Sequence, residues 1–197
     1  MKPYFILTIY FLTILTSCNN EQDDIYEFLN ICNDEFYLDY NVLASEQMEV
    51  FQQELVEEGH LIDNSGYALK VLLRNLAKKT YFDPPLRKDN FNNALLYKYP
   101  DQLYTCVVKN YNIDSTLVAA LPFSETQKKI ASYASSNDSI PVQGFFKIYA
   151  EELTEEELST PYIKESVLLF LYRWYFQSKY DREIPIEMKK EGNNGEK

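Results

Sequence analysis

The sequence predicts an all-α protein, a single compact domain of about seven helices around a central apolar helix at residues 161–180. Three observations support this fold class. Apolar residues recur at helical spacing along most of the chain, helix caps and prolines punctuate it, and glycine is scarce at five residues. Scarce glycine argues against phosphate loops, β-barrels and dinucleotide folds, which need tight turns and close backbone approach. The 197 residues suffice for one ordinary domain.

The predicted central helix is apolar on nearly all sides. Thr160 is a good N-cap, and Pro161 occupies the first helical position, where its missing N–H costs nothing. A continuous polar strip is formed only by Ser166, Arg173 and Gln177. A helix of this kind usually lies inside a bundle. Its apolar residues at i, i+4, i+7, i+8 and i+11 are Ile163, Val167, Phe170, Leu171 and Trp174, and its other side carries Leu168, Leu169, Tyr172 and Phe176.

The other helices are predicted from caps, breakers and spacing. Ser124–Gln127 and Thr154–Glu157 have the pattern of capping boxes. Residues 33–43 fit either a strand or a helix, and residues 63–66 are interpreted as a helix N-cap region. The first predicted helix begins at Asp23 or Asp24, and another begins after Asp101. The remaining predicted helices cover residues 45–58, 67–79, 91–99, 115–121, 124–135 and 141–153.

The N-terminus has the organisation of a targeting segment. Lys2 gives a short positive region, and Tyr4 to Thr16 is an apolar stretch of about a dozen residues, too short to span a bilayer as a helix. The stretch ends in Leu15-Thr16-Ser17-Cys18. This order resembles the signal peptide and lipobox of bacterial lipoproteins, in which the cysteine is acylated and becomes the first mature residue.

The resemblance implies a division of the chain. Residues 1–17 would be a signal peptide, residues 18–24 the lipidated Cys18 and a short acidic tether, residues 25–183 the helical domain and residues 184–197 a disordered polar tail. Palmitate-type acyl chains on Cys18 would anchor the protein stably.

Two features next to Cys18 bear on localisation. Asn19 favours delivery to the outer membrane, and the acidic run at residues 21–24 resembles a Bacteroidota surface-export signal or serves as a solvated tether. We therefore expect an outer-membrane lipoprotein, facing the periplasm or exposed at the surface.

Composition restricts the partners. The net charge is −11, and an acidic chain repels nucleic acid and anionic lipid surfaces. Membrane attachment is therefore expected through lipidated Cys18 alone, and a protein partner is expected to be basic.

Few residues offer chemistry. His60, the single histidine, follows Gly59 and is expected to cap a helix C-terminus. Cys32 and Cys106 both fall on apolar helical faces, which fits two buried thiols or, less favoured, a disulfide. The acidic runs at residues 151–152 and 155–157 suit helix ends. We therefore assign no catalytic residue, no metal ligand and no cofactor.

Aromatic residues leave one alternative open. Tyr97, Tyr99, Tyr104 and Tyr111, with Tyr172, Tyr175 and Tyr180, fit a tyrosine-rich core and boundary or a sugar-binding platform. Arg173 either reaches solvent along the polar strip or pairs with a carboxylate.

The sequence thus favours a lipid-anchored envelope protein with a non-enzymatic role, binding another macromolecule or acting as an accessory subunit. The alternatives are a glycan-binding surface lipoprotein and a carboxylate-dependent glycan hydrolase.

Overall fold

Every regular element in the described part of the chain is helical, so the predicted all-α class is confirmed. The computed structural model describes residues 22–38, 42–78, 95, 100–135 and 141–180. Within these ranges the helices are α1 (22–38), α2 (Ala44–Glu57), α3 (Gly66–Leu76), α4 (Pro100–Asn110), α5 (Ser115–Ala120), α6 (Pro122–Ser135), α7 (Val142–Glu152), a 3-10 turn (Glu157–Ser159) and α8 (Pro161–Tyr180).

The last of these helices, α8, is the centre of the fold, as predicted. Its bounds coincide with the predicted ones, and Ile163, Val167 and Leu171 are fully buried. Helix α2 and the 3-10 turn pack against it, and α7 reaches it through Phe146, which meets the Trp174 ring edge-on at 5.0 Å. Helix α7 also packs against α3 and α6. Burying each large apolar side chain contributes roughly 1.5–3 kcal/mol, so α8 supplies much of the core free energy.

A disulfide joins α1 to α4. Cys32 is buried in α1, and its sulfur is bonded to that of Cys106, with the two Cα atoms 6.1 Å apart. The sequence had favoured two free thiols, because spacing alone does not reveal that the two helices approach within bonding distance. The ring of Phe28 in α1 stacks at 4.4 Å on that of Tyr111, the residue that follows α4.

Several predicted helix ends are confirmed. The Ser65 side chain accepts a hydrogen bond from the Ala68 N–H at 3.1 Å and caps α3. In the second capping box, the Glu157 N–H donates to Thr154 Oγ1 and the Thr154 N–H donates to a Glu157 carboxylate oxygen. Gly59 follows α2 with a φ of 73°, a conformation that glycine adopts without strain.

Two predicted caps are wrong. Helix α2 begins after Leu43, which caps it without a side-chain bond, because both the N–H and the hydroxyl of Ser45 donate to the Asp34 carboxylate of α1. Helix α6 begins at Pro122, ahead of Ser124, whose hydroxyl donates to the Val118 carbonyl at 2.7 Å. In the first case a tertiary contact replaced the local one, and in the second the preference of proline for the first turn prevailed.

The ambiguous segment is helical up to residue 38, and its last residue, Leu43, is extended. Helix α1 continues to residue 38, and it begins at residue 22, so residues 22–24 form its first turn and not a tether. The predicted signal peptide, the predicted helix at 91–99 apart from residue 95, and the predicted tail lie outside the described residues.

Gly66 permits a close approach between α3 and the 3-10 turn. A Cβ atom at this position would overlap the Glu155 carbonyl and the Ser159 side chain and would lie 2.9 Å from the Ser159 nitrogen. Only glycine fits the first turn of α3 at this packing distance.

Candidate functional site

A groove of about 530 Å³ lies between α1 and the start of α8. This volume falls within the range of small-ligand sites. Its walls are built by two elements that are more than 120 residues apart in the chain. The lining residues are Asp23, Tyr26, Glu27, Asn30, Ile31 and Asp34 of α1, together with Thr160, Pro161 and Tyr162.

One wall of the groove is an acidic stripe on α1. Asp23, Glu27, Ile31 and Asp34 follow one another at i, i+4, i+8 and i+11, which places them along one side of the helix. Asp23 and Glu27 are exposed, and Ile31 is 38% exposed although it is apolar. The wall therefore presents three carboxylates and one accessible aliphatic side chain to whatever enters the groove.

Asp34 is held in place by α2. Its two carboxylate oxygens accept hydrogen bonds from the Ser45 N–H at 3.0 Å and from the Ser45 hydroxyl at 2.7 Å. Each oxygen of a carboxylate has a second acceptor site. Asp34 therefore bridges α1 to α2 and still offers acceptor capacity to the groove.

The lining of the groove also contains two tyrosines, Tyr26 of α1 and Tyr162 of α8. Tyr26 is 4% exposed, and its ring stacks against that of Tyr162 with centroids 5.9 Å apart. Burial raises the pKa of Tyr162, and hydrogen bonding to Ser166 only partly offsets the effect. Burial likewise raises the pKa of Tyr26, against the opposing influence of Gln22 and the Phe123 backbone. Both phenols are therefore neutral hydroxyls over the ordinary pH range.

Two buried oxygens in the groove wall have no hydrogen-bond partner among the described residues. They are the Tyr26 hydroxyl and Asn30 Oδ1. Gln22 and the Phe123 backbone lie close enough to Tyr26 to affect its pKa, yet neither meets the geometry of a hydrogen bond. An unpartnered buried polar atom costs about 1–3 kcal/mol. Both atoms have almost no accessible surface, so they lie behind the surface of the groove.

A protonatable carboxyl lies behind the groove, in the core. Glu165 of α8 is 5% exposed and accepts a hydrogen bond from the Asn33 side-chain amide, which is also buried. Burial raises the pKa of Glu165 to about 8, and the neighbouring charges of Asp34 and Glu49 push in the same direction. Glu165 is therefore mostly a neutral acid at pH 7.

Arg173 makes two hydrogen bonds to uncharged groups, a role that the sequence had not suggested. Its Nε donates to the Leu95 carbonyl at 2.7 Å, and its Nη2 donates to the Tyr37 hydroxyl. Tyr37 is fully buried in α1. The guanidinium thus ties the central helix to two distant parts of the chain.

The other residues singled out in the sequence lie apart from the groove. His60 follows Gly59 at the end of α2, and its backbone N–H donates to the Leu55 carbonyl. Capping by its imidazole stays a prediction. Glu152 forms an ion pair with Lys129, and Glu151 lies 3.8 Å from Lys147, both at the surface.

The predicted tyrosine groups contribute no platform that the structure describes. Tyr172 and Tyr175 are buried in the core, and Tyr111 packs on Phe28. The side chains of Tyr97, Tyr99, Tyr104 and Tyr180 lie outside the description. The tyrosines that do line the groove, Tyr26 and Tyr162, were not in the predicted groups.

Sequence reasoning also missed Glu165 and the groove itself. Glu165 precedes Leu168, Leu169, Tyr172 and Phe176 by three, four, seven and eleven residues, so helical spacing placed it on an apolar face. That signal was available. The groove carried no such signal, because its two walls are distant in the chain.

Comparison with known proteins finds no matching family model, no matching curated protein and no matching solved structure. Within the described ranges, no helix combines the length and apolarity needed to cross a membrane. Functional inference therefore rests on the chemistry of the groove and on the N-terminal sequence.

Proposed function

We propose that this is a lipid-anchored envelope protein, held in the outer membrane through Cys18, which binds another macromolecule without catalysing a reaction. The observation that carries the proposal is the order of residues at the N-terminus. A positive residue, a short apolar stretch, two small residues and Cys18 follow one another, and an acidic run comes next. A buried core helix has no need of this order.

The position of the groove supports a binding role near the anchor. Helix α1 begins at residue 22, four residues after Cys18, and an extended chain of that length spans at most about 14 Å. Asp23, at one end of the groove, lies in the first turn of α1. The proposed site therefore opens close to the membrane surface, where it would meet another membrane-associated protein.

Charge supports a basic partner. Removal of residues 1–17 would take away Lys2 and no acidic residue, so the net charge of −11 would become −12 in the mature chain. Complementary charge speeds encounter and excludes acidic competitors. Three of the carboxylates that contribute to this charge line the groove.

A glycan-binding role is the second candidate. Tyr162 gives the groove a partly exposed aromatic side chain, and aromatic faces are common sugar platforms. The salt dependence of binding distinguishes the two candidates. Association with a basic protein weakens as the salt concentration rises, because it depends on charge. Sugar stacking depends on salt only weakly.

Labelling and fractionation of the native host test the anchor. The wild-type chain is expected to incorporate labelled palmitate and to sediment with outer membranes, and Cys18→Ala is expected to do neither. Ser17→Ala keeps a small residue before the cysteine and serves as the matched control. A wild-type chain that carries no acyl label would overturn the anchoring proposal.

Crosslinking in the same cells tests the partner. A stoichiometric basic protein is expected to be recovered with the wild-type chain and lost with the double variant Asp23→Asn/Glu27→Gln. If no protein is enriched, or if the recovered protein is indifferent to the groove variant, the proposed binding mode fails. Glycan arrays then become the next measurement.

A further inference from the structure

We propose that Cys32, Cys106 and Glu35 form a zinc site when the disulfide between the two cysteines is reduced. The proposal goes beyond the anchor and the groove and depends on neither of them. The ligand atoms of the three side chains, two sulfurs and a carboxylate oxygen, lie within 4.8 Å of one another. In the described part of the chain, no other trio of cysteine, histidine or acidic side chains is as close.

Two helices present these side chains to each other in pairs. Glu35 follows Cys32 by three residues in α1, so both side chains lie on one face of that helix. Asn110 follows Cys106 by four residues at the end of α4, and its side-chain amide donates to Cys106 Sγ at 3.5 Å. Cys106 Sγ also lies 3.7 Å from a carboxylate oxygen of Glu35. The cluster is therefore located where the disulfide joins α1 to α4.

The distances suit tetrahedral zinc. Zn–S bonds of about 2.3 Å and Zn–O bonds of about 2.0 Å place a sulfur and an oxygen on one zinc ion roughly 3.5 Å apart. The observed 3.7 Å between Cys106 Sγ and Glu35 is close to that value. The two cysteine Cα atoms are 6.1 Å apart, so rotation of the partly exposed Cys106 side chain can separate the reduced sulfurs to the roughly 3.8 Å that zinc requires. The exposed Glu35 side chain can follow this movement.

The donor set and its exposure favour zinc over other cations. Two thiolates and one carboxylate would bring three negative charges together, and a divalent cation offsets two of them. Thiolate ligands select zinc over magnesium and calcium, which prefer oxygen ligands. Cys32 is 2% exposed, whereas Glu35 and Asn110 are exposed, so the site is closed towards the core and open to solvent. A water molecule can therefore complete the four ligands.

The zinc site and the disulfide exclude each other. A dithiol reductant transfers two electrons and two protons to the disulfide, the S–S bond breaks, and the reductant becomes a disulfide itself. Zinc then forms one bond to each sulfur and displaces one proton from each thiol, so two protons are released. A disulfide oxidant reverses both steps and frees the metal. Cys32 and Cys106 thus stay linked in both states, either directly or through zinc.

Metal titration of the full-length protein in detergent tests the proposal. A phosphine reductant opens the disulfide and is removed under anaerobic conditions, and cobalt(II) is then added as a spectroscopic probe for zinc. We expect the reduced protein to bind one cobalt ion and to show the thiolate-to-cobalt charge-transfer band and the visible bands of a tetrahedral site. Added zinc should displace the cobalt. The oxidised protein should show no such bands.

Two single substitutions separate a metal ligand from an incidental carboxylate. Glu35→Gln should weaken zinc binding at least about tenfold, measured by competition with a chelating dye, because it replaces an anionic ligand by a neutral one. Glu27→Gln makes the same chemical change on another exposed residue of α1, about 12 Å away along the helix, and should change the affinity by less than about twofold. Both variants keep the disulfide, so both can be purified in the oxidised, folded state.

A double variant controls for the third cysteine of the chain. Cys32→Ser/Cys106→Ser removes both sulfurs and keeps Cys18, so any metal held through Cys18 alone would appear in this variant. We expect it to show no charge-transfer band. Zinc should also raise the melting temperature of the reduced wild-type protein and leave that of the double variant unchanged, since a metal that binds only the folded state stabilises it.

Three results would each overturn the proposal: no stoichiometric cobalt binding by the reduced protein, equal zinc affinities of Glu35→Gln and Glu27→Gln, or a charge-transfer band that persists in the double variant. Cys32 and Cys106 would then form a structural disulfide only. Such a failure would leave acylation of Cys18 and recovery of a partner untouched, because those are measured independently in cells.

Discussion

Replacing Glu165 by glutamine should remove a pH-dependent cost from the folded state. Glutamine keeps the shape of the side chain and keeps an oxygen that can accept the hydrogen bond from Asn33. Unlike glutamate, it cannot ionise in the core. The variant therefore tests whether the buried carboxyl is the neutral acid that its surroundings imply.

The direction in which stability changes with pH follows from the raised pKa of Glu165. Burial raises the pKa of Glu165 from 4.5 to about 8 in the folded protein. Below pH 4.5 the group is protonated in both the folded and unfolded states and costs nothing. Between pH 4.5 and about 8 the unfolded chain ionises while the folded protein retains the proton, so stability falls as pH rises. Above about pH 8 the full cost is present.

The size of this cost follows from the difference between the two pKa values of Glu165, 4.5 and about 8. Each pKa unit corresponds to about 1.4 kcal/mol, so the cost approaches on the order of 5 kcal/mol above pH 8. At pH 7 it is on the order of 3 kcal/mol. We expect Glu165→Gln to match the wild type near pH 4.5 and to exceed it in unfolding free energy by these amounts at higher pH.

Urea unfolding followed by circular dichroism, at several pH values from 4.5 to 9, would measure the difference between the two proteins. Glu156→Gln is the matched control, because it makes the same chemical change on an exposed residue, and its difference from the wild type should stay within about 0.5 kcal/mol. A difference for Glu165→Gln that does not grow between pH 5 and 8 would refute the reasoning.

Three further perturbations have defined outcomes. Cys32→Ala/Cys106→Ala opens a loop with a sequence separation of 74 residues, so it should cost about 4 kcal/mol in urea unfolding, and dithiothreitol should then have no further effect. Arg173→Met removes two charge-assisted hydrogen bonds to buried residues and should cost about 2–5 kcal/mol, whereas a loss below 1 kcal/mol would contradict the tie to α1. Gly66→Ala forces α3 away from Ser159 and should lower stability by about 1–3 kcal/mol, and an unchanged melting temperature would contradict the close packing.

Sequence reasoning succeeded where structure is determined locally. The bounds of α8 follow from Thr160, Pro161 and an apolar pattern that no neighbour needs to supply. The cap at Ser65 and the Thr154–Glu157 box are also local, because each bond spans three residues. In these cases the groups that determine the conformation lie within one turn of the helix.

Sequence reasoning failed where a distant group competes for a side chain. Ser45 is a good helix cap in isolation, yet Asp34 of α1 takes both of its donors. The pairing of Cys32 with Cys106 depends in the same way on how α1 meets α4. The groove is the extreme case, because neither of its walls has a binding pattern of its own and the cavity exists only once α1 and α8 are packed together.

The central position of α8 has a consequence for the order in which the protein is made. Helix α8 follows every described element that packs on it, so α2 emerges from the ribosome long before its partner. At 5–20 residues per second, the interval from the end of α2 to the end of α8 is roughly 6–25 s. Throughout that interval Met48, Phe51 and Leu55 lack the surface that later buries them. Truncations within α8 should therefore leave these side chains uncovered and should aggregate instead of folding into a smaller domain.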